Sequence, residues 1–188
     1  MQNQEIYDEL VAKFEKMYGA KPEIVAYAPG RIEVLGNHTD YNEGYVFSAA
    51  IDKGTFFAVS KVEGTACELT AGDFMETVKF DIADVKPVTE MTWANYVLGS
   101  FNWLFDGKTA DAKFGFKAMF LGNIPLGAGL SSSAALEMCT LLALEKLYGI
   151  EMDKTTTAKI GQKAEHTFAG CPCGLLDQAS SMYGAEGA

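Results

Sequence analysis

Pro125-Leu126-Gly127-Ala128-Gly129-Leu130-Ser131-Ser132-Ser133-Ala134 sets two glycines and three consecutive hydroxyls just ahead of a helix-forming run. Glycine permits turns that a Cβ would obstruct, so several main-chain N–H groups can converge on one point. Ala134-Ala135-Leu136-Glu137 then opens a stretch of strong helix formers through Tyr148. A glycine-rich loop feeding a helix N-terminus is a phosphate cradle, because unpaired N–H groups and the positive end of the helix dipole face the anion. An ordinary loop with a serine cap would account for one serine and one glycine, but not for three hydroxyls behind two glycines. Two familiar glycine signatures are excluded. A Walker A loop needs Gly-Lys-Ser/Thr, and no lysine lies between Lys117 and Lys146. The dinucleotide fingerprint needs Gly-x-Gly-x-x-Gly, whereas Gly127-Ala128-Gly129 runs into Leu130-Ser131-Ser132.

The loop resembles the second motif of the GHMP kinases, the superfamily of galactokinase, homoserine kinase, mevalonate kinase and phosphomevalonate kinase. Ala28-Pro29-Gly30-Arg31-Ile32-Glu33-Val34-Leu35-Gly36-Asn37-His38-Thr39-Asp40-Tyr41-Asn42-Glu43-Gly44 resembles the sugar-binding signature of the galactokinase branch. Ala164-Glu165-His166-Thr167-Phe168-Ala169-Gly170-Cys171-Pro172-Cys173-Gly174-Leu175-Leu176-Asp177-Gln178 resembles the stretch that carries the family's Mg²⁺ ligand and catalytic aspartate. Trp93-Ala94-Asn95-Tyr96-Val97 is a weaker echo, where the family sets an aromatic beside adenine. All four occur in family order, so the chain is identified as a member of the galactokinase branch.

The resemblance implies an ATP- and Mg²⁺-dependent sugar kinase acting at the anomeric hydroxyl, with galactose as the first substrate expected. ATP would be held by Trp93, Pro125, Gly127, Ala128, Gly129, Leu130, Ser131, Ser132, Ser133 and Ala134. Hard Mg²⁺ keeps most of its waters and takes one or two protein oxygens. The resemblance assigns these to Ser132 and Glu165, and one of Ser131 and Ser133 is expected to cap the helix. Asp177 is the candidate base and Arg31 its partner, a permanent guanidinium that can also offset charge on the transferring phosphoryl group. Sugar recognition falls to Asn37, His38, Asp40, Tyr41 and Gly174. Taken without the resemblance, Asn37-His38-Thr39-Asp40 could equally be a turn with an Asx cap or half a metal site, though two histidines in the chain argue against zinc.

Three positions depart from the family pattern. Galactokinases usually carry Glu or Asp where this chain has Asn37, asparagine where Glu33 stands, and a proline after the loop where this chain has Ser48. A carboxylate accepts from two hydroxyls, whereas an amide accepts on one side and donates on the other. The acceptor sugar is therefore open between galactose, another hexose, an amino sugar and a pentose such as arabinose. A non-catalytic sugar/ATP sensor with the same fold is the alternative from another class. The complete phosphate loop favours catalysis.

Positioning these groups requires an α+β unit, a mixed sheet with helices packed on it; the resemblance implies the GHMP kinase N-terminal domain, ribosomal protein S5 domain 2-like. Ile6, Leu10, Phe14 and Met17 recur at helical spacing, predicting an amphipathic surface helix over Asn3–Tyr18 that Gly19 ends. Residues 24–28 read as a strand broken by Pro29-Gly30, and residues 46–51 and 54–62 as two further strands. A hairpin is predicted at 68–70 and 76–80, a helix at 95–104, a strand at 114–121 and a long helix from Asp153 to about Phe168.

The 188 residues are 48% hydrophobic, enough for one sizeable core, and carry a net charge of −10. That charge argues against nucleic acid and anionic membranes as partners. No apolar run approaches the ~20 residues of a membrane helix. Cys171 and Cys173 are too close for an easy disulfide, so a reduced, cytoplasmic protein is expected. The chain stops where family members would enter their next strand. The expectation is therefore residues 1–188 as one N-terminal domain, a C-terminal domain of the same parent as its partner, and little turnover by this chain alone.

Overall fold

A computed structural model of the chain describes residues 2–36, 39–42, 44–125 and 127–185. The spacing of Ile6, Leu10 and Phe14 makes helix α1 (Asn3–Tyr18) one-sided, and all three side chains are buried. A capping box between Gln2 and Glu5 starts this helix, and Gly19, in left-handed φ, ends it.

Five strands form one mixed sheet: β1 (Ile24–Leu35), β2 (Phe47–Val62), β3 (Ala66–Ala71), β4 (Glu76–Asp81) and β5 (Gly115–Gly122). Their order is β1-β2-β5-β3-β4, antiparallel throughout except for the parallel pair β3 and β5. The break predicted at Pro29-Gly30 does not occur, and β1 continues to Leu35. As an edge strand β1 can carry a proline, and a register shift between Pro29 and Arg31 absorbs the irregularity. That continuation carries Arg31 and Glu33 out toward the sugar loop. Similarly, the two strands predicted around Asp52-Lys53 are one: β2 runs through them as a single strand, and its ladder to β1 steps from Ala50 to Gly54 across the register shift.

One sheet face is covered by α1, with Ile6, Leu10 and Phe14 against Ala58, Met119 and Leu121. The opposite face carries helices α2 (Ala94–Leu104), α3 (Ser132–Tyr148) and α4 (Lys154–Ala164), over a core that includes Phe57, Phe101, Phe116 and Leu141. Asp153 caps α4 by accepting from Thr156 N at 3.0 Å. The long helix predicted beyond it changes character at Glu165, where one π-turn spans Glu165–Ala169. Such turns recur at functional sites. A short helix without a sequence expectation, α5 (Leu176–Tyr183), follows and brings Asp177 into its first turn. Among the described residues no helix is long and apolar enough to cross a membrane. All four cysteines are free thiols.

Candidate functional site

The loop before α3 adopts the geometry its glycines predict. Gly127 and Gly129 have φ of 68° and 69°, the left-handed region that side chains disfavour. Ser131, also left-handed at 54°, stands at the cap position of α3 without capping it. Its hydroxyl instead donates to Asp177 Oδ2, so the expected serine cap is replaced by a link to the candidate base. Pro125, Gly127, Ala128, Gly129, Leu130 and the three serines line a cavity of about 250 Å³, together with Arg31 and Asp177. The first-turn N–H groups of Ser132, Ser133 and Ala134 have no partner within the helix. Ala134, also expected at the nucleotide, is fully buried and does not line this cavity.

Arg31 ties strand, loop and helix together. Its Nε donates to Asp177 Oδ1 at 2.8 Å, and its Nη2 lies 2.6 Å from the same oxygen. Nη1 donates to Gly129 O at 2.8 Å, and the main-chain N–H of Arg31 donates to Leu130 O at 3.1 Å. The guanidinium is nearly buried, while a quarter of the Asp177 side chain stays exposed, enough to meet a substrate. The expected Arg31–Asp177 pairing is present, and the loop is part of it.

Behind this pair lies a buried polar group centred on Glu165, the glutamate that the sequence singles out. Glu165 is only 5% exposed, although a lone glutamate at a helix end is ordinarily solvated. It accepts from Gln178 Nε2 at 2.8 Å and from Cys173 Sγ at 3.4 Å. Gln178 Nε2 also donates to Glu137 Oε2 at 3.0 Å. Burial pushes both Glu137 and Glu165 above the ordinary glutamate range, and their mutual repulsion adds to it for Glu137. Cys173 is likewise pushed up by burial, with Glu165 beside it, so it is a thiol donor.

A pH dependence of stability follows. A carboxyl whose folded pKa is raised contributes stability that is fully present below its unfolded pKa and is lost as pH rises through the folded one. As pH rises above the ordinary glutamate range the chain should therefore lose stability, by at most about 1.4 kcal/mol per pH unit for one proton. Glu137→Gln removes this group's share, leaving that of Glu165. Urea denaturation across that rise measures it, and a variant as pH-dependent as the wild type would refute the assignment.

The sugar loop meets the same site from the other side. Asp40 opens a 3₁₀ turn, Asp40–Asn42, where its Oδ1 accepts from Tyr41 N at 2.8 Å and its Oδ2 from Leu176 N at 3.4 Å. Its carboxylate occupies the space that a Cβ on Gly174 would need. Glycine at 174 is thus what lets the sugar loop close onto the start of α5. Gly174→Ala should push Asp40 away and lower kcat/KM for the sugar about 10²-fold, the cost of misplacing a positioned group by about 1 Å. Nucleotide affinity, measured by calorimetry, should stay unchanged; a parallel loss of both would show a general collapse instead. Tyr41 is exposed on this turn. Asn37 and His38 lie outside the described residues. A cavity of about 620 Å³ beside the loop is lined by Glu33, Val34, Leu35, Gly36, Thr39 and Tyr45.

Trp93 lies in the wall of a cavity of about 450 Å³ that shares Ser132 and Ser133 with the loop cavity. Its ring packs edge-on to Phe120 at 5.4 Å, and its Nε1 donates to Glu76 Oε2 at 2.9 Å. Phe74, Tyr96, Ile124 and Leu136 complete an apolar slot suited to a flat heterocycle. Of these, Phe74 lies in a hairpin turn and Leu136 on α3, so only long-range packing reveals their role. His166 was likewise missed: its Nε2 sits against the main chain of Cys173 in the loop before α5, 2.7 Å from O and 3.1 Å from N, and bonds to one or the other according to its tautomer. Glu137 and Gln178 had no local signal at all.

Comparison with known proteins agrees with this geometry. Residues 12–61 match the galactokinase galactose-binding signature, and residues 95–185 match the GHMP kinases N terminal domain. The chain is 38% identical over 174 residues to a galactokinase of Pasteurella multocida, covering 92% of this chain and 45% of that protein. It is 39% identical over 173 residues to one of Haemophilus influenzae, with the same coverage. The chain thus spans less than half the length of these curated relatives. Among solved structures, Lactococcus lactis galactokinase complexed with galactose superposes with a TM-score of 0.85 at 33% identity, over 95% of this chain and 47% of that one. A mevalonate kinase of Methanococcus jannaschii, 19% identical over 86% of this chain and 51% of that one, shares the fold with a TM-score of 0.71.

Proposed function

Given that this chain belongs to the GHMP kinases, on their galactokinase branch, we propose that the protein carrying it transfers the γ-phosphoryl group of ATP to the anomeric hydroxyl of a sugar, galactose first. The observation that carries this reading is the Arg31–Asp177–Ser131 group at the mouth of the phosphate-loop cavity. Asp177 takes the proton of the anomeric hydroxyl. The sugar oxygen bonds to the γ-phosphorus as the bridging P–O bond breaks, and ADP leaves. Phosphoryl transfer asks mainly for positioning and charge neutralisation. The loop N–H groups and the α3 dipole supply both to the phosphates, and Arg31 adds a fixed positive charge where negative charge develops. Trp93 and its neighbours receive the base.

The donor set fits Mg²⁺. Among the described residues no group of three or more His, Cys, Asp or Glu could hold an ion by itself, so phosphate oxygens would complete the sphere. Ser132 and Glu165 would hold the ion, and a bound Mg²⁺ neutralises phosphate charge. Asp40 and Gly174, with Asn37, His38 and Tyr41, bind the sugar. We place the activity in the whole protein, joined to a C-terminal half of the kind its relatives have, and in the cytoplasm.

The test is a sugar panel assayed for ATP-dependent phosphorylation. ADP release driven by galactose, with the phosphate on the anomeric oxygen, is the expected result; none with any sugar would reject the kinase reading. Asn37→Glu should raise the preference for galactose over other sugars, read as a ratio of kcat/KM values, because a carboxylate accepts where an amide donates. A wild type already strongly selective for galactose, and not improved by glutamate, would show that Asn37 does not mark a changed substrate.

A further inference from the structure

Two helices meet behind the phosphate loop through side chains that the reaction itself does not use. Ser133 and Glu137 are one turn apart on α3, on the same face. Asp177 and Gln178 are adjacent on α5: the first turns to Arg31 and Ser131, the second inward to Glu137 and Glu165. Gln178 and Glu137 have no exposed surface. One amide nitrogen therefore serves two carboxyl groups, at 2.8 Å for Glu165 and 3.0 Å for Glu137. This fixes which way the amide faces, because a flipped Gln178 would set its carbonyl oxygen against two other acceptors. Glu137 Oε1 and Gln178 Oε1 are buried without a hydrogen-bond partner. A cluster serving stability alone would not leave two acceptors orphaned beside a buried carboxylate.

We propose that Gln178 is a positioning residue, its amide locked by Glu137 so that it holds the Glu165 carboxylate in place for the metal of the metal–nucleotide complex. This rests on the reading of Glu165 as a metal ligand. The same turn of α5 then carries the base and the group that aims the metal ligand, so displacement of α5 disturbs both together. Partners of this kind around a metal ligand are worth about 10- to 100-fold in metal affinity.

The experiment uses the 188-residue chain, with Mn²⁺-ATP and metal-free ATP as probes and electron paramagnetic resonance for bound Mn²⁺. Gln178→Met should weaken Mn²⁺-ATP at least about tenfold and leave metal-free ATP unchanged. Glu137→Leu, which unlocks the amide, should do the same. Glu137→Gln, which keeps an acceptor for it, should stay near the wild type. A folded Gln178→Met with wild-type affinity for both probes would overturn the proposal, because a purely structural role predicts that result. Should Gln178→Met not fold, the Gln178 side-chain amide resonance of the wild type decides. It must shift when Mg²⁺ is added to the ATP-saturated chain, and a resonance that stays put overturns the proposal. Glu165→Ala separates the two levels: retention of full Mn²⁺-ATP affinity rejects Glu165 as ligand, and the proposal with it. An unaltered chain that fails to bind Mn²⁺-ATP rejects both as well.

Discussion

Asp177→Asn should lower the turnover proposed for the protein carrying this chain by about 10²- to 10⁴-fold, the range that a positioned general base contributes. Nucleotide affinity remains within about twofold of the wild type, because the phosphates are held by main-chain N–H groups rather than by Asp177. The substitution keeps the size of the side chain and one oxygen that can still accept from Arg31, while its NH2 takes the place of the oxygen that Ser131 meets, whose hydroxyl can turn to accept. What it removes is the charge that pairs with Arg31 and the basicity needed for the sugar proton. Steady-state kinetics with calorimetric ATP binding separates these effects. Near wild-type turnover by the asparagine variant would exclude Asp177 as the base and leave proton transfer to solvent.

Arg31→Met carries the second large effect, and it falls on stability and rate together. The guanidinium makes two contacts to Asp177 Oδ1 and one to Gly129 O, so its loss leaves a partly buried carboxylate and a loop carbonyl without their donor. Removing one partner of a buried pair costs about 3–5 kcal/mol, discounted to about 2–3 here because a quarter of Asp177 reaches solvent. Turnover should fall about 10²- to 10³-fold, as for loss of one charge-stabilising donor. Arg31→Lys should not restore it. An ammonium is a point charge and cannot contact Oδ1 and Gly129 O in the fork geometry that the guanidinium uses. Urea denaturation and kinetics on both variants provide the check, and a lysine variant equal to the wild type in both would show that charge alone matters.

These expectations draw on residues of unequal visibility. The loop from Pro125 to Ser133 and the helix after it were legible because their signals are local: glycines where φ is positive, hydroxyls at a helix start, then helix formers to Tyr148. The same holds for α1, whose apolar spacing and terminal Gly19 are contained in one stretch. The break expected at Pro29-Gly30 was a fair local inference that the sheet overrode. Edge position and a register shift let the strand continue, and that continuation delivers Arg31 to Asp177. Helix α5 left little trace, being eight residues long and preceded by Gly170-Cys171-Pro172-Cys173-Gly174.

What the amino-acid order determined by itself is therefore the chemistry on offer. It specifies an anion-binding loop, a sugar loop rich in short polar groups, an arginine, an acid in an apolar stretch, and the family to which those motifs in that order belong. Each depends on side-chain type and on spacing over a few residues, which backbone geometry translates directly. Only the tertiary structure decided how these groups act on one another. It set the hydroxyl of Ser131 on Asp177 instead of on its own helix. It sank Glu137 and Gln178 behind the phosphate loop, and it fitted the carboxylate of Asp40 into the space left by Gly174. Those partners are tens of residues apart in the chain. Their hydrogen bonds, their burial and the pKa shifts that burial causes exist only once the sheet and five helices have brought them together.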